Sequence, residues 1–331
     1  MAGFVIRRAL GAVLLLVVTS MVTFAIFFVV PRLAGQTVDQ LAAQYVGKDP
    51  SQAEIEATKV KLGLDQPITV QYGRFVKGIV AGREYSFGPS TEYCPPPCFG
   101  YSFKTQRPVW PDLVDRMEVT ASLAFGASVL WLLAGVSIGV LSALRKGSFF
   151  DRAAMITALA GVSLPIFFTG LLSLALFLPT GVSYVSITDD PLAWAKNLLL
   201  PWITLAFLYA ALYARLTRAG MLETMGEDYI RTARAKGLPE RIVVTRHALR
   251  ATLTPILTVF GLDIGLLLGG AVLTESTFSL PGIGRYAIDA INNNDLPQVL
   301  GVTMLAAFFI VVANLIVDLL YAVADPRVRL S

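Results

Sequence analysis

Six cations, Arg231, Arg234, Lys236, Arg241, Arg246 and Arg250, crowd a polar loop reading GEDYIRTARAKGLPERIVVTRHALRATLTP over residues 226–255. Guanidinium and ammonium groups at that density pair well with carboxylates or phosphates on another molecule. His247, the only histidine, lies in the same loop. Without a Cys or His partner it reads as an interface or packing residue rather than a metal ligand. A second candidate is Cys94-Pro-Pro-Pro-Cys98, which holds the only cysteines. Two thiols can close a disulfide in an oxidising compartment or supply half of a zinc set. A disulfide needs its Cα atoms about 4.4–6.8 Å apart, and an extended proline run would hold them too far apart, so a turn or a cis proline belongs to that expectation. Asp263 stands near the middle of one apolar segment, and Asn314 and Asp318 lie four apart on another. An ionisable group at membrane depth costs at least about 2.5–3.5 kcal/mol. Asp263 and Asn314 are therefore expected at a cavity or subunit interface, or in a buried hydrogen bond, whereas Asp318 can reach water or a loop arginine. No GxxxxGK[ST] phosphate loop occurs, no metal-ligand cluster is visible, and no nucleophile stands with a plausible base. The chain alone is not read as an enzyme.

The elements that must hold the basic loop follow from its own residues. Asp228 is placed to cap a short helix over 229–236, Gly237 to take the left-handed position that ends it, and Pro239 to open a second helix. Tyr229, Ile230 and Ala233 make one mixed apolar and small face, which suits a groove on a soluble partner. A helix-turn-helix of this size resembles a DNA-binding unit in outline, but tethering beside a bilayer leaves little freedom to enter a groove, so no nucleic-acid partner is expected. The plainer alternative is a loop kept basic only to orient the chain.

That loop hangs between apolar segments. Of 331 residues, 55% are apolar and 15% charged, and the mean hydropathy is +0.65. Soluble domains carry about 45–50% and about 25% respectively, so the chain is an all-α integral membrane protein. Segments near 9–30, 118–142, 153–178, 198–217, 256–275 and 299–322 reach the about 20 apolar residues a span requires, which makes six helices. The first is too long for a secretory signal and lacks a small-residue cleavage site, so it is expected to be retained. The net charge of +4 and the pI near 9.1 reflect basic residues beside the spans. Arg7, Arg8, Arg145, Lys146, Arg152, the 218–250 loop, Arg327 and Arg329 all fall on one side if six helices alternate. Both termini and the loop are thus expected in the cytoplasm of a bacterial inner-membrane, multi-pass protein. Pro165 is expected to kink the third span or open its hydrogen-bond ladder. Gly126, Gly135, Gly139, Gly261, Gly265, Gly269 and Gly270 provide close helix packing.

The chain divides into a first helix over 1–31, an extracytoplasmic cap over 32–117, a core over 118–322 that contains the 218–250 loop, and a tail over 323–331. In the cap, Ser51 and Glu54 have capping-box spacing and Gly63 can end a helix over 52–62. Residues 62–75 mix a turn with apolar and aromatic groups that need something to pack against. Residues 91–111 read as an ordered loop without a regular element.

The 229–255 stretch resembles the EAA loop of bacterial ABC-importer permeases, in the form used by dipeptide and oligopeptide permeases of the DppB and OppB type. LGLDQP at 62–67, QYGRF at 71–75, RPV at 107–109, GGAVLTESTFSLPGIGRYAIDAI at 269–291 and NLIVDLLYAVADPRVR at 314–329 agree with it in order over nearly the whole chain. In the generic loop pattern a glutamate and an alanine would stand at Arg231 and Thr232, while Ala233 and Gly237 match; the Cys94–Cys98 insertion is also a departure. The resemblance implies the MetI-like transmembrane subunit of a type I ABC importer. It further implies a second permease, two ATPase subunits that carry the ATP and Mg, an external substrate-binding protein and surrounding lipid, with no cofactor on this chain. Coupling to the ATPases would fall to Tyr229, Ile230, Arg231, Ala233, Arg234 and Gly237. Peptides are the cargo the resemblance implies first, with nickel chelates or oligosaccharides as alternatives carried by close relatives. A stand-alone proton-coupled transporter would need a polar relay or a paired repeat, and a channel a pore-lining ring, and neither is visible.

Overall fold

A computed structural model describes residues 2–46, 50–87, 90–102, 104–177, 183–324. Residues 325–331, with Arg327 and Arg329, lie outside the described residues. Among those described, five helices are long and apolar enough to cross a membrane, and a sixth crossing is made by a bent pair. The first is α1 (Ala2–Phe24), prolonged through one π turn (Ala25–Val29) to Leu33. Three cap helices follow: α2 (Val38–Val46), α3 (Gln52–Leu62) and α4 (Ile68–Ala81). The core comprises α5 (Val109–Leu144), the pair α6 (Phe149–Ser163) and α7 (Ile166–Phe177), and α8 (Pro191–Thr224). It continues through the short α9 (Asp228–Ala235), α10 (Glu240–Leu268), the short α11 (Val272–Thr277) and α12 (Ile283–Asn292), and α13 (Leu296–Ala324).

Glycine contacts fix how the long helices run. Gly126, Gly135 and Gly139 of α5 meet Trp202, Tyr213 and Thr217 of α8 in the same order, so these two helices are parallel. Gly261 and Gly265 of α10, and Gly269 just after it, meet Val317, Ala313 and Ala306 of α13 in reverse order, so that pair is antiparallel. Each glycine lets backbones approach where a Cβ would collide. Because α5 and α8 are parallel, the α6–α7 pair must carry the chain back across, which makes six crossings.

Several boundaries correct the sequence reading. The third span is bent by 103° between α6 and α7, far more than a proline kink, because Pro165 has no N–H to continue the ladder and the chain restarts as a new helix. The fifth helix covers Glu240–Leu268 rather than 256–275. Its start reaches back into the basic loop, and Gly270 at φ 130° breaks it before Glu275. Residues 91–111 are not free of regular structure. β1 (Arg83–Phe87) pairs antiparallel with β2 (Ser90–Cys94), and β3 (Tyr101–Ser102) with β4 (Arg107–Pro108), so two small hairpins sit in the otherwise helical chain.

The cap rests on α1. Phe24 stacks on Phe28 at 4.6 Å and meets Tyr72 of α4 edge-on at 5.4 Å, and Ser20 shares a 2.9 Å hydrogen bond with Tyr72. The Ser51–Glu54 capping box forms and Gly63 takes the left-handed position, φ 65°. Cys94 and Cys98 are joined by a disulfide with Cα atoms 5.6 Å apart, and Pro96-Pro97 is cis. Both cysteines are buried against Tyr85 and Tyr101.

Candidate functional site

The basic loop folds as two helices, with one adjustment. Glu227, not Asp228, occupies the N-cap, and its side chain accepts no capping bond; Asp228 is the first helical residue. At the other end Gly237 is left-handed, φ 75°. The Gly237 N–H donates to the Arg234 carbonyl at 2.9 Å and the Leu238 N–H to Ala233 at 3.4 Å, which is a Schellman closure.

Burial reverses part of the expected face. Ile230 is fully buried and Ala233 nearly so, packed on Met221, Val243, Val244 and Ala248 of the same chain. They seat α9 on α8 and α10 instead of facing a partner, because an apolar pair at helical spacing finds its nearest apolar surface at home. The outward face carries Tyr229, which is 47% exposed, with Arg231, Thr232 and Lys236. Partial burial and then the Glu227 charge push the Tyr229 phenol upward. Arg234 is held on its own chain: its Nε and Nη2 donate to Glu240 at 3.1 and 2.8 Å, which raises the guanidinium further. Arg231 meets Asp228 at 3.2 Å in full solvent, where such a pair has little hold. A cleft of about 590 Å³ beside α9 is lined by Leu222, Met225, Arg234, Glu240 and Arg241, among others.

A buried pin missed by sequence reading stands at the same end. Asp151, in the first turn of α6, accepts from Arg218 Nε at 2.6 Å and Nη2 at 2.8 Å, from the Gly147 N–H at 2.8 Å, and from Ser142 Oγ. This joins the α5–α6 turn to the end of α8 that leads into α9. A bidentate pair with its remaining lone pairs satisfied is strongly oriented.

At the opposite end α11 and α12 fold across the bundle. Glu275, fully buried, accepts from Thr120 Oγ1 at 2.9 Å, the Arg285 N–H at 3.0 Å and the Ala271 N–H at 3.1 Å. Thr120 Oγ1 accepts in turn from the Ile283 N–H at 2.9 Å. Ile283 and Tyr286 pack on Val109 and Leu113 of α5, so the segment, here called the plug, is fastened across that end of the bundle. The cap is tied to the plug's last turn, where Ser102 Oγ donates to Asp295 and Lys104 Nζ to the Asn294 carbonyl at 3.1 Å.

Between the two ends, Asp263 of α10 accepts from Tyr213 Oη of α8 at 2.7 Å. Asn314 is half-buried on α13 and no hydrogen bond joins it to Asp263 among the described residues. Asp318 pairs with Arg8 of α1 at 3.0 Å rather than with a loop arginine.

This geometry has relatives. Residues 135–330 match the family described as binding-protein-dependent transport system inner membrane component, and residues 1–124 match the N-terminal family of the same membrane components. The chain belongs to this family. It is 37% identical over 358 residues to the dipeptide transport system permease protein DppB of Escherichia coli K12, covering 99% of both chains. It is 36% identical over 355 residues to DppB of Alkalihalophilus pseudofirmus, covering 99% of this chain and all of that one. An inner membrane component of a binding-protein-dependent transport system is a multi-pass membrane protein, in keeping with the six crossings, and not a catalytic subunit. The basic loop, Asp151–Arg218, Asp263 and Glu275 all fall inside the 135–330 match, whereas the disulfide and Thr120 fall in the N-terminal one.

Proposed function

We propose that this permease forms, with a second permease subunit, the membrane path of an ATP-driven importer of di- or oligopeptides delivered by an external binding protein. The observation that carries the reading is α9, a short helix seated by Ile230 and Ala233 that turns Tyr229 and Arg231 to solvent between two long helices. A rigid seat with an exposed aromatic and cationic face is what a soluble motor subunit can grip. Motion of α9 reaches α10 through the packed Val243 and Val244, and α8 through Met221. The Asp151–Arg218 pin passes the displacement of α8 on to α6, so the bent third span moves with it. ATP and Mg reside on the ATPase subunits, and this chain supplies the lever.

The basic-loop end and both termini are cytoplasmic in this reading, and the cap with the plug faces outward. The ties between the cap and the plug's last turn support an entrance for the binding protein, because docking on the cap then bears directly on α11–α12. Closure of the ATPases exchanges two packings of the permease pair and releases the plug.

The test is uptake of a labelled dipeptide by proteoliposomes that hold the whole complex. Tyr229→Ala with Arg231→Glu should lower uptake and stimulated ATP hydrolysis together, about tenfold, with the complex still assembled. Unchanged uptake would remove α9 from the coupling path, and absence of any peptide uptake by the wild-type complex would remove the peptide cargo.

A further inference from the structure

Asp263 occupies an unusual position for a carboxylate. It lies six residues before Gly269, where α10 breaks into the plug, so it stands on the basic-loop side of that segment. Tyr213 bonds Oδ2 at 2.7 Å, and no described residue hydrogen-bonds or pairs with the other oxygen. The residue is only half-buried. One phenol does not offset the cost of a charge at this depth, so the second oxygen is left for water, a proton or a cation beyond the described residues.

The surroundings favour a particular cation. Trp131 stacks on Tyr209 at 4.6 Å, lies 6.1 Å from Tyr213 and meets Phe260 edge-on at 6.2 Å. Tyr209 and Tyr213 are one helical turn apart on α8; Trp131 and Tyr213 are fully buried in the core, so the partly exposed Tyr209 is the ring left open on the carboxylate's side. Ring faces attract cations, and an ammonium with three donors can satisfy a carboxylate and a ring face together.

We propose that Asp263, oriented by Tyr213 and flanked by Tyr209, receives the α-ammonium group of a peptide as it leaves the plug. The proposal rests on the peptide-permease reading and adds to it the group recognised and the residue that recognises it. Tyr213 acts as a positioning residue, since its phenol fixes one oxygen and leaves the other for the cargo.

The complete importer, with both permeases, ATPases and binding protein, would be trapped with ATP and vanadate in the presence of labelled dialanine, and the retained peptide counted. Asp263→Asn should reduce retention about tenfold, equal to about 1.4 kcal/mol, while trapped nucleotide and the binding protein's affinity stay at wild-type values. Asp263→Glu should recover part of the loss. Retention equal to wild type in Asp263→Asn would overturn the proposal. So would loss of the permease pair in that variant, because it would show the acid satisfied by a cation of the neighbouring subunit. As a second measurement, a dipeptide whose first side chain is photoreactive should crosslink within 209–213 or 260–264, and labelling confined to other segments would also overturn it. A wild-type complex that retains no dialanine, and transports none, defeats the peptide reading itself and is distinguished by that arm alone.

Discussion

Replacing Glu275 by leucine keeps the volume and removes the acceptor, which leaves the Thr120 hydroxyl and the Ala271 and Arg285 N–H groups facing apolar surroundings. Each orphaned buried donor costs about 1–3 kcal/mol. The plug should therefore loosen by about 3 kcal/mol or more, and the detergent-purified protein should melt at a clearly lower temperature, with proteolysis appearing first at α11–α12. An indistinguishable melting curve and protease pattern would mean that Glu275 does not hold the plug. Nothing local in the sequence announces this role. Glu275 and Thr120 are 155 positions apart, and the TESTFSLPGIG stretch reads only as polar and turn-rich until α5 is laid against it. The same holds for Asp151 with Arg218, which are 67 positions apart. Asp263 differs, because a lone carboxylate inside an apolar segment is visible from composition, although its partner Tyr213 is not. The Cys94–Cys98 pair was legible as an alternative between disulfide and half a metal set, since a spacing of four within a proline run leaves geometry to choose between them.

Among the elements, α9 shows which forces set the seat of the proposed coupling helix. A side chain at Gly237 would meet nothing within 4 Å, so Gly237→Val carries only the cost of a β-branched residue at φ 75°, about 1–2 kcal/mol. Ile230 is fully enclosed by Met221, Val243 and Ala248, so Ile230→Ala opens a cavity worth about 2–4 kcal/mol. Ile230→Ala should then uncouple uptake from ATP hydrolysis more severely than Gly237→Val, with Tyr229→Ala affecting docking but not the seat. The ratio of peptide imported to ATP hydrolysed, measured on the three reconstituted variants, tests the order. If Gly237→Val proves the most damaging, turn strain and not packing governs the seat. Local elements were the most legible. The Ser51–Glu54 box, Gly63 and Gly237 form as their own residues dictate, because a cap or a left-handed glycine needs no distant partner. The inward turn of Ile230 and Ala233 was not, since the surface that buries them comes from α8 and α10. The hairpins of the 83–108 region were hidden by their shortness and by the prolines and cysteines that punctuate them.

At the scale of the whole molecule, relative sidedness follows from packing. Six spans were legible from apolar length, and Pro165 marked where the third one fails, but the 103° angle depends on what α7 packs against, which no periodicity encodes. Parallel α5 and α8 then require α6–α7 to cross, so the start of α1 and the end of α13 share the side of Arg218 and α9, and the cap shares the side of the plug. The proposed orientation puts the first side in the cytoplasm, where the positive-inside rule places excess arginine and lysine. Single cysteines replacing Glu56 in the cap and Asn292 at the end of α12 should react with a membrane-impermeant maleimide in intact cells, whereas Thr232→Cys on α9 should react only after permeabilisation. Glu56, Asn292 and Thr232 are all exposed, so differences in reactivity report sidedness. The native thiols stay silent in this assay because Cys94 and Cys98 are joined and buried. Labelling of Thr232→Cys alone in intact cells would invert the charge-based orientation. Opposite behaviour of Glu56→Cys and Asn292→Cys would go further, separating cap from plug and removing the entrance through which cargo is proposed to reach Asp263.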